Sequence, residues 1–265
     1  MTLSTSGSDW LVRTRPTRGA ALRLFCFPYA GAGASAFNQW GEHLPAEVEV
    51  CAVQLPGREN RLGEDSFTRL QPMIDELVRV LMPYCDIPFA FYGHCMGGFI
   101  AFELARRWKA LGAGGPSHLF ISGCRAPHLP DDETGIHHLP QPEFVHRLRE
   151  MEATPDFILA DEEMRELFLP VLRADFTVYE TYAYEDGEPL RCPISAFGGA
   201  DDPRGKREDL RQWSAHTESS FIYRTLPGGH LFIHSSRDLF LRFVAEDLRC
   251  VLRQNPQLAD GSMGF

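Results

Sequence analysis

The chain has 265 residues, 44% apolar and 23% charged, enough to bury one large core as a single domain over residues 1–265. Twenty-six basic against 36 acidic residues leave a net charge of −10, which argues against nucleic acid or an anionic membrane as the main partner, because a phosphate-covered surface would repel it. No apolar run approaches the roughly 18 residues of a membrane span, and the first residues, MTLSTSGSDWLVRTRP, hold no apolar stretch of signal type. A cytoplasmic protein with neither a nucleic-acid nor a membrane partner is expected.

Taken in chain order, the first 18 or so residues are polar or irregular enough to fray, as is the tail from Asn255. Strand patterns then fall at Leu22 to Tyr29, Val48 to Gln54, Phe89 to Tyr92, Leu119 to Ser122, Ile194 to Phe197 and Phe221 to Leu226. Helical patterns lie at Met73 to Met82, Gly98 to Leu111, Glu208 to His216 and Arg237 to Leu252. This alternation predicts an α/β fold: a mostly parallel central sheet with helices on both faces. One stretch breaks the rhythm. From Pro127 to Tyr184 only two helical patterns occur, Glu143 to Glu152 and Glu163 to Tyr182, so residues 127–184 are expected to form a helical lid over the carboxyl edge of the sheet. Its Phe144, Phe157, Phe168 and Phe176 are candidate pocket lining, or ordinary core of the insertion.

Seven scattered cysteines include no C-x-x-C pair, which suits a reducing compartment without zinc or disulfide chemistry. Most sit in apolar runs such as LFCFPY, where a thiol is a small hydrophobe. Cys95 differs. The segment Phe89 to Gly98, FAFYGHCMGG, is an apolar strand running through G-x-C-x-G into the helical pattern FIAFELARRW. That is the nucleophile elbow of α/β-hydrolases with cysteine in the usual serine position. Flanking glycines let strand and helix approach closely, and the helix N-terminus favours a thiolate and an oxyanion. An isolated G-x-C-x-G often marks only a tight turn, but here strand and helix supply the context.

In such folds the acid and then the base follow the nucleophile in chain order. Strand ISAF leads to Gly198-Gly199-Ala200-Asp201-Asp202-Pro203, and strand FIYRTL leads to Pro227-Gly228-Gly229-His230. His230 is the expected general base. Either aspartate could orient its ring, and the Gly199-x-x-Asp202 spacing favours Asp202 over Asp201. The oxyanion donors expected are the N–H of Met96, from the elbow, and of Ala30, from the small-residue loop after the first core strand. That loop has neither a P-loop lysine nor G-x-G-x-x-G spacing.

These residues resemble the type II thioesterases of polyketide and nonribosomal peptide pathways. The resemblance is carried by FPYAGAGAS (Phe27 to Ser35), QLPGRENRL (Gln54 to Leu62), YGHCMGG (Tyr92 to Gly98), GGADDP (Gly198 to Pro203) and PGGHLF (Pro227 to Phe232), and extends over nearly the whole chain. It implies cleavage of acyl groups from the phosphopantetheine arm of an acyl or peptidyl carrier protein. It also implies oxyanion donors at Ala30 and Met96, a triad of Cys95, His230 and an aspartate of GGADDP, and no cofactor or metal of the enzyme's own. The chain departs from the family at Cys95, where serine is usual. Transfer from pantetheine to a cysteine is close to thermoneutral, so three readings stay open: hydrolysis, reversible acyl or aminoacyl transfer between carrier proteins, or an introduced replacement that traps a complex. Against an acidic carrier, docking needs a local basic patch, for which Arg58 with Arg61, or Arg204, Lys206 and Arg207, are candidates.

Overall fold

The computed structural model describes residues 7–13, 17, 19–130, 134–151, 154, 156–203 and 207–254. Among these, the strands are β1 (Leu11–Arg13), β2 (Leu22–Phe27), β3 (Val48–Val53), β4 (Phe89–His94), β5 (Leu119–Ser122), β6 (Ile194–Gly199) and β7 (Phe221–Leu226). They form one sheet in the order β1-β3-β2-β4-β5-β6-β7, parallel except where β1 runs against β3. The helices are α1 (Trp40–His43), α2 (Leu70–Leu81), α3 (Met96–Ala110), α4 (Gln141–Glu150), α5 (Asp156–Ala160), α6 (Glu162–Glu180), α7 (Arg207–Arg211), α8 (Phe232–Ser235) and α9 (Arg237–Gln254). No helix among the described residues is long and apolar enough to cross a membrane.

Strand alternation divides the core in two. Phe25 and Phe27 of β2 face one side with Phe91, Ile121, the Leu70-Met73-Ile74-Leu77 stripe of α2 and Phe99 of α3. Leu24 and Cys26 face the other with Tyr92, Phe120, Trp40 of α1 and the Phe240-Leu241-Val244-Leu248 stripe of α9. With both faces covered, the central strands can be buried throughout, as VEVCAV of β3 is, its one charged residue Glu49 paired with Arg23 at 2.8 Å. This is the α/β-hydrolase architecture that the strand and helix patterns predict.

Two sequence expectations need correction. Residues 7–13 do not fray: Trp10 is 2% exposed, its carbonyl accepts the Gln54 N–H at 2.9 Å, and β1 pairs with β3 from Leu11↔Val53 to Arg13↔Cys51, while the tail from Asn255 lies outside the described residues. A three-residue edge strand leaves no readable period, and its stability comes from the buried indole. The expected helix from Glu208 to His216 is α7 followed by a 3-10 turn, Gln212–His216, where Trp213 is buried with its indole N–H donating to the Cys124 carbonyl at 2.9 Å.

Toward the amino edge of the sheet, β5, β6 and α9 share a buried polar chain. His118 Nε2 lies 2.9 Å from Ser195 Oγ, Ser195 Oγ donates to Asp247 Oδ2 at 2.8 Å, and Arg224 closes a forked pair on Asp247 at 2.7 Å. Since the serine proton goes to Asp247, His118 Nε2 carries the hydrogen toward Ser195. Burial pushes the His118 pKa down to about 4. An unfolded histidine titrates near 6.5, so between these values the unfolded chain binds more protons, and the contribution present above pH 6.5 is lost as pH falls toward 4. Denaturant titrations should find about 3 kcal/mol more stability lost between pH 7 and 4 in the native chain than in His118→Gln. Equal losses would count against this assignment.

Candidate active site

The carboxyl edge of the sheet carries the candidate catalytic residues. β4 ends at His94 and α3 begins at Met96, so the chain reverses within Cys95, which takes φ 52°, ψ −118°. A non-glycine residue is strained there, and the surroundings hold it. Cys95 N–H donates to the Ser122 carbonyl at 2.9 Å, and the Cys95 carbonyl accepts from Gly98 N–H at 2.9 Å. Beneath it, His94 Nδ1, Ser122 Oγ and Tyr92 Oη make a buried polar chain with 2.8 Å links. Cys95 keeps 8% exposure while its neighbour His94 keeps none. Met96 N–H belongs to the first turn of the 15-residue α3, where backbone donors have no partner within the helix and the dipole is positive.

The turn depends on glycine. A Cβ at Gly97 would lie 2.2 Å from the Phe27 carbonyl oxygen, where β2 ends. Gly97→Ala is therefore expected to cost about 1–3 kcal/mol, read by denaturant unfolding, and to disturb the loop after β2. Unchanged stability would mean that this approach is not tight.

β6 delivers Asp202 and the loop after β7 delivers His230. Asp202 is buried, and its Oδ2 lies 2.8 Å from His230 Nδ1, whereas Asp201 is exposed and its N–H donates to the Gly228 carbonyl at 3.0 Å. The His230 ring lies against the ring of His94, centroids 4.9 Å apart, which brings the imidazole beside the elbow. With Nδ1 donating to the Asp202 carboxylate, the ring is in the tautomer whose Nε2 carries the lone pair.

After β2, Tyr29 to Ala32 form a turn closed by Ala32 N–H on the Tyr29 carbonyl at 3.0 Å. Gly31 has φ +78° and Ala30 a negative φ, the pattern of a type II turn. Sequence reasoning missed the pair that flanks it: Tyr29 Oη is 2.9 Å from His234 Nε2, and burial lowers the His234 pKa and raises that of Tyr29. His234 reads as one apolar-segment residue in LFIH, and nothing local pairs it with a residue 205 positions earlier.

Between β5 and β6, α4, α5 and α6 enclose their own apolar cluster, with Phe144 and Phe176 buried in edge contact at 6.0 Å and Phe168 packed alongside. The Phe157 side chain is outside the described residues. Ala30 packs against the same cluster, so the insertion lies over the loop after β2. Glu180 of α6 accepts the N–H groups of Ile136 and His137, and Arg173 donates to the Leu139 carbonyl at 2.8 Å while stacking on Phe144.

Arg58 and Arg61 are not surface cations. Arg58 is 4% exposed and forms a forked pair with the fully buried Asp175 of α6, at 2.6 and 2.8 Å. Arg61 lies over the Trp10 ring and pairs with Glu64. Both charges are already matched inside the protein, so neither can receive an acidic partner. Of the other cluster, Arg204 and Lys206 lie outside the described residues, and Arg207 is exposed on Tyr223 Oη. Among the described residues no group of three or more His, Cys, Asp or Glu is placed to hold a metal ion.

A strained cysteine between strand and helix, with an imidazole hydrogen-bonded to an aspartate beside it, is the geometry of an α/β-hydrolase of the nucleophile-elbow kind. Residues 22–248 match the thioesterase domain family, and the chain belongs to that family and is a thioester hydrolase. It is 43% identical over 252 residues to the gramicidin S biosynthesis protein GrsT of Aneurinibacillus migulanus, covering 95% of this chain and 98% of that protein. Among solved structures it superposes on the RedJ thioesterase of the prodiginine pathway in Streptomyces coelicolor with TM-score 0.82 at 38% identity, covering 88% of each chain. The type II thioesterase BorB of the borrelidin cluster gives TM-score 0.81 at 34% identity, over 92% of this chain and 98% of that one.

Proposed function

We propose that this chain is an editing type II thioesterase, hydrolysing acyl groups from the phosphopantetheine thioesters of an acyl or peptidyl carrier protein in the cytoplasm. The observation that carries the reading is the Asp202–His230 bond beside a cysteine held at φ 52° on the elbow. His230, oriented by Asp202, takes the Cys95 thiol proton, and the sulfur attacks the thioester carbonyl. The N–H groups of Ala30 and Met96 receive the oxyanion. Collapse breaks the carbon–sulfur bond to pantetheine, whose thiol leaves with the proton from His230. Water, deprotonated by the same ring, then releases the acid and restores the thiol. No further cofactor enters this scheme. We assign 127–184 as a lid that bounds the acyl site within a single domain, 1–265.

The thiol itself supports a second reading. An acyl-cysteine lies near its pantetheine thioester in free energy, so a second carrier thiol can compete with water and the chain can act as an acyl or aminoacyl shuttle between carriers. The experiment that decides loads Cys95 from a radiolabelled acyl carrier and chases with buffer or with a second holo-carrier. Label released mainly as free acid supports hydrolysis, and label passing much faster to the carrier overturns it.

A further inference from the structure

We infer that Asp175 and Arg58 are positioning residues for the oxyanion loop, coupling α6 of the insertion to the backbone amide of Ala30. This rests on the acyl-enzyme reading above. A peptide plane is rigid, so the direction of Ala30 N–H is set by where the Tyr29 carbonyl points. That carbonyl is held by Ala32 N–H at 3.0 Å, and the turn closes only with Gly31 near φ +78°.

The buried ion pair holds the turn at two backbone groups, the Gly31 N–H within it and the Ala32 carbonyl at its end. Gly31 N–H donates to Asp175 Oδ2 at 2.7 Å, and the Ala32 carbonyl accepts from Arg58 Nη1 at 3.0 Å. Arg58 is itself held by Nε on the Pro56 carbonyl at 3.2 Å, and its own carbonyl accepts from Gln54 Nε2 at 2.9 Å. Gln54 Oε1 in turn takes Ala34 N–H at 2.8 Å. Leu172, one turn before Asp175 on the same helix, packs where a Cβ on Gly31 would sit, 2.5 Å from its Cδ2. The loop carrying the donor is therefore shaped from α6 rather than from the sheet alone.

The pair also has an electrostatic task. A bare carboxylate beside the turn would oppose the negative charge that develops near Ala30, and the forked guanidinium cancels it while leaving the hydrogen bond to Gly31 intact. Displacement of α6 would release Gly31 and let the turn relax, so substrate-dependent seating of the insertion would also set the donor.

The test compares Asp175→Asn and the double variant Arg58→Met/Asp175→Leu with the native chain. Breaking one partner leaves a buried unmatched charge, whereas an apolar pair of similar volume is often tolerated, so the double variant decides if the single one fails to fold. In whichever folds, kcat for acyl-pantetheine hydrolysis should fall about 10²-fold with KM held within about threefold, and the Gly31 amide should lose hydrogen-exchange protection. A folded variant with native kcat overturns the inference, since a merely structural pair moves the melting temperature and not the kcat-against-KM split. The amide exchange reads the clamp without chemistry, so turnover that survives Cys95→Ala would sink the acyl-enzyme reading and be distinguishable from failure here.

Discussion

Cys95→Ala is expected to lower thioester turnover by about 10⁴- to 10⁶-fold while leaving the fold in place. On the proposed mechanism the loss is large because the thiol forms the bond through which the acyl group passes, and what remains is the contribution of the proposed oxyanion donors and binding. The cost in stability should be small, because alanine removes one atom at a site that already carries backbone strain and retains some exposure. Mass spectrometry after incubation with acyl-pantetheine should find the acyl adduct on the native chain and none on the variant. Native turnover in a folded Cys95→Ala chain would remove Cys95 from the reaction. Cys95→Ser sharpens the comparison. An oxygen ester lies well downhill of a thioester, so the serine chain should keep hydrolysis and lose transfer to a second carrier thiol.

Asp202→Asn should cost about 10⁴-fold in kcat, less than the loss of about 10⁶-fold expected on deleting the imidazole in His230→Ala. The 2.8 Å contact requires His230 to offer Nδ1–H to a carboxylate. An amide that turns its N–H₂ toward Nδ1 reverses the tautomer and leaves a hydrogen on Nε2, where a lone pair is needed. Single-turnover loading of Cys95 should slow by the same factor as kcat. A loss below about tenfold in Asp202→Asn would assign the orienting role elsewhere, and a matching loss in Asp201→Asn would point to its neighbour.

How much of this was legible in the sequence depended on how local the cause was. The central strands and the α2, α3 and α9 stripes carry their burial pattern within a dozen residues, so periodicity finds them. The elbow is equally local: Gly93 must lack a side chain because the Gly97 carbonyl, four residues on in the same turn, lies where its Cβ would sit, and that demand is written into G-x-C-x-G. Arg58 illustrates the opposite case. In PGRE it reads as an available cation, yet its partner Asp175 lies 117 positions away on a helix whose own pattern marks only an apolar face. Trp10 and β1 fail for a related reason, since three residues on an edge strand take their order from β3 and from Arg61 rather than from neighbours.

On the proposed lid role, engineers who wish to alter acyl preference would naturally transplant residues 127–184 from a relative. The ion pair between Arg58 and Asp175 makes such a graft conditional, because one of its halves travels with the donor segment and the other stays in the recipient. A donor helix without a carboxylate at that register would strand a guanidinium in the interior, at a cost of about 3–5 kcal/mol. Chimera libraries should therefore carry both halves across together, or screen first for donors in which the match is already present.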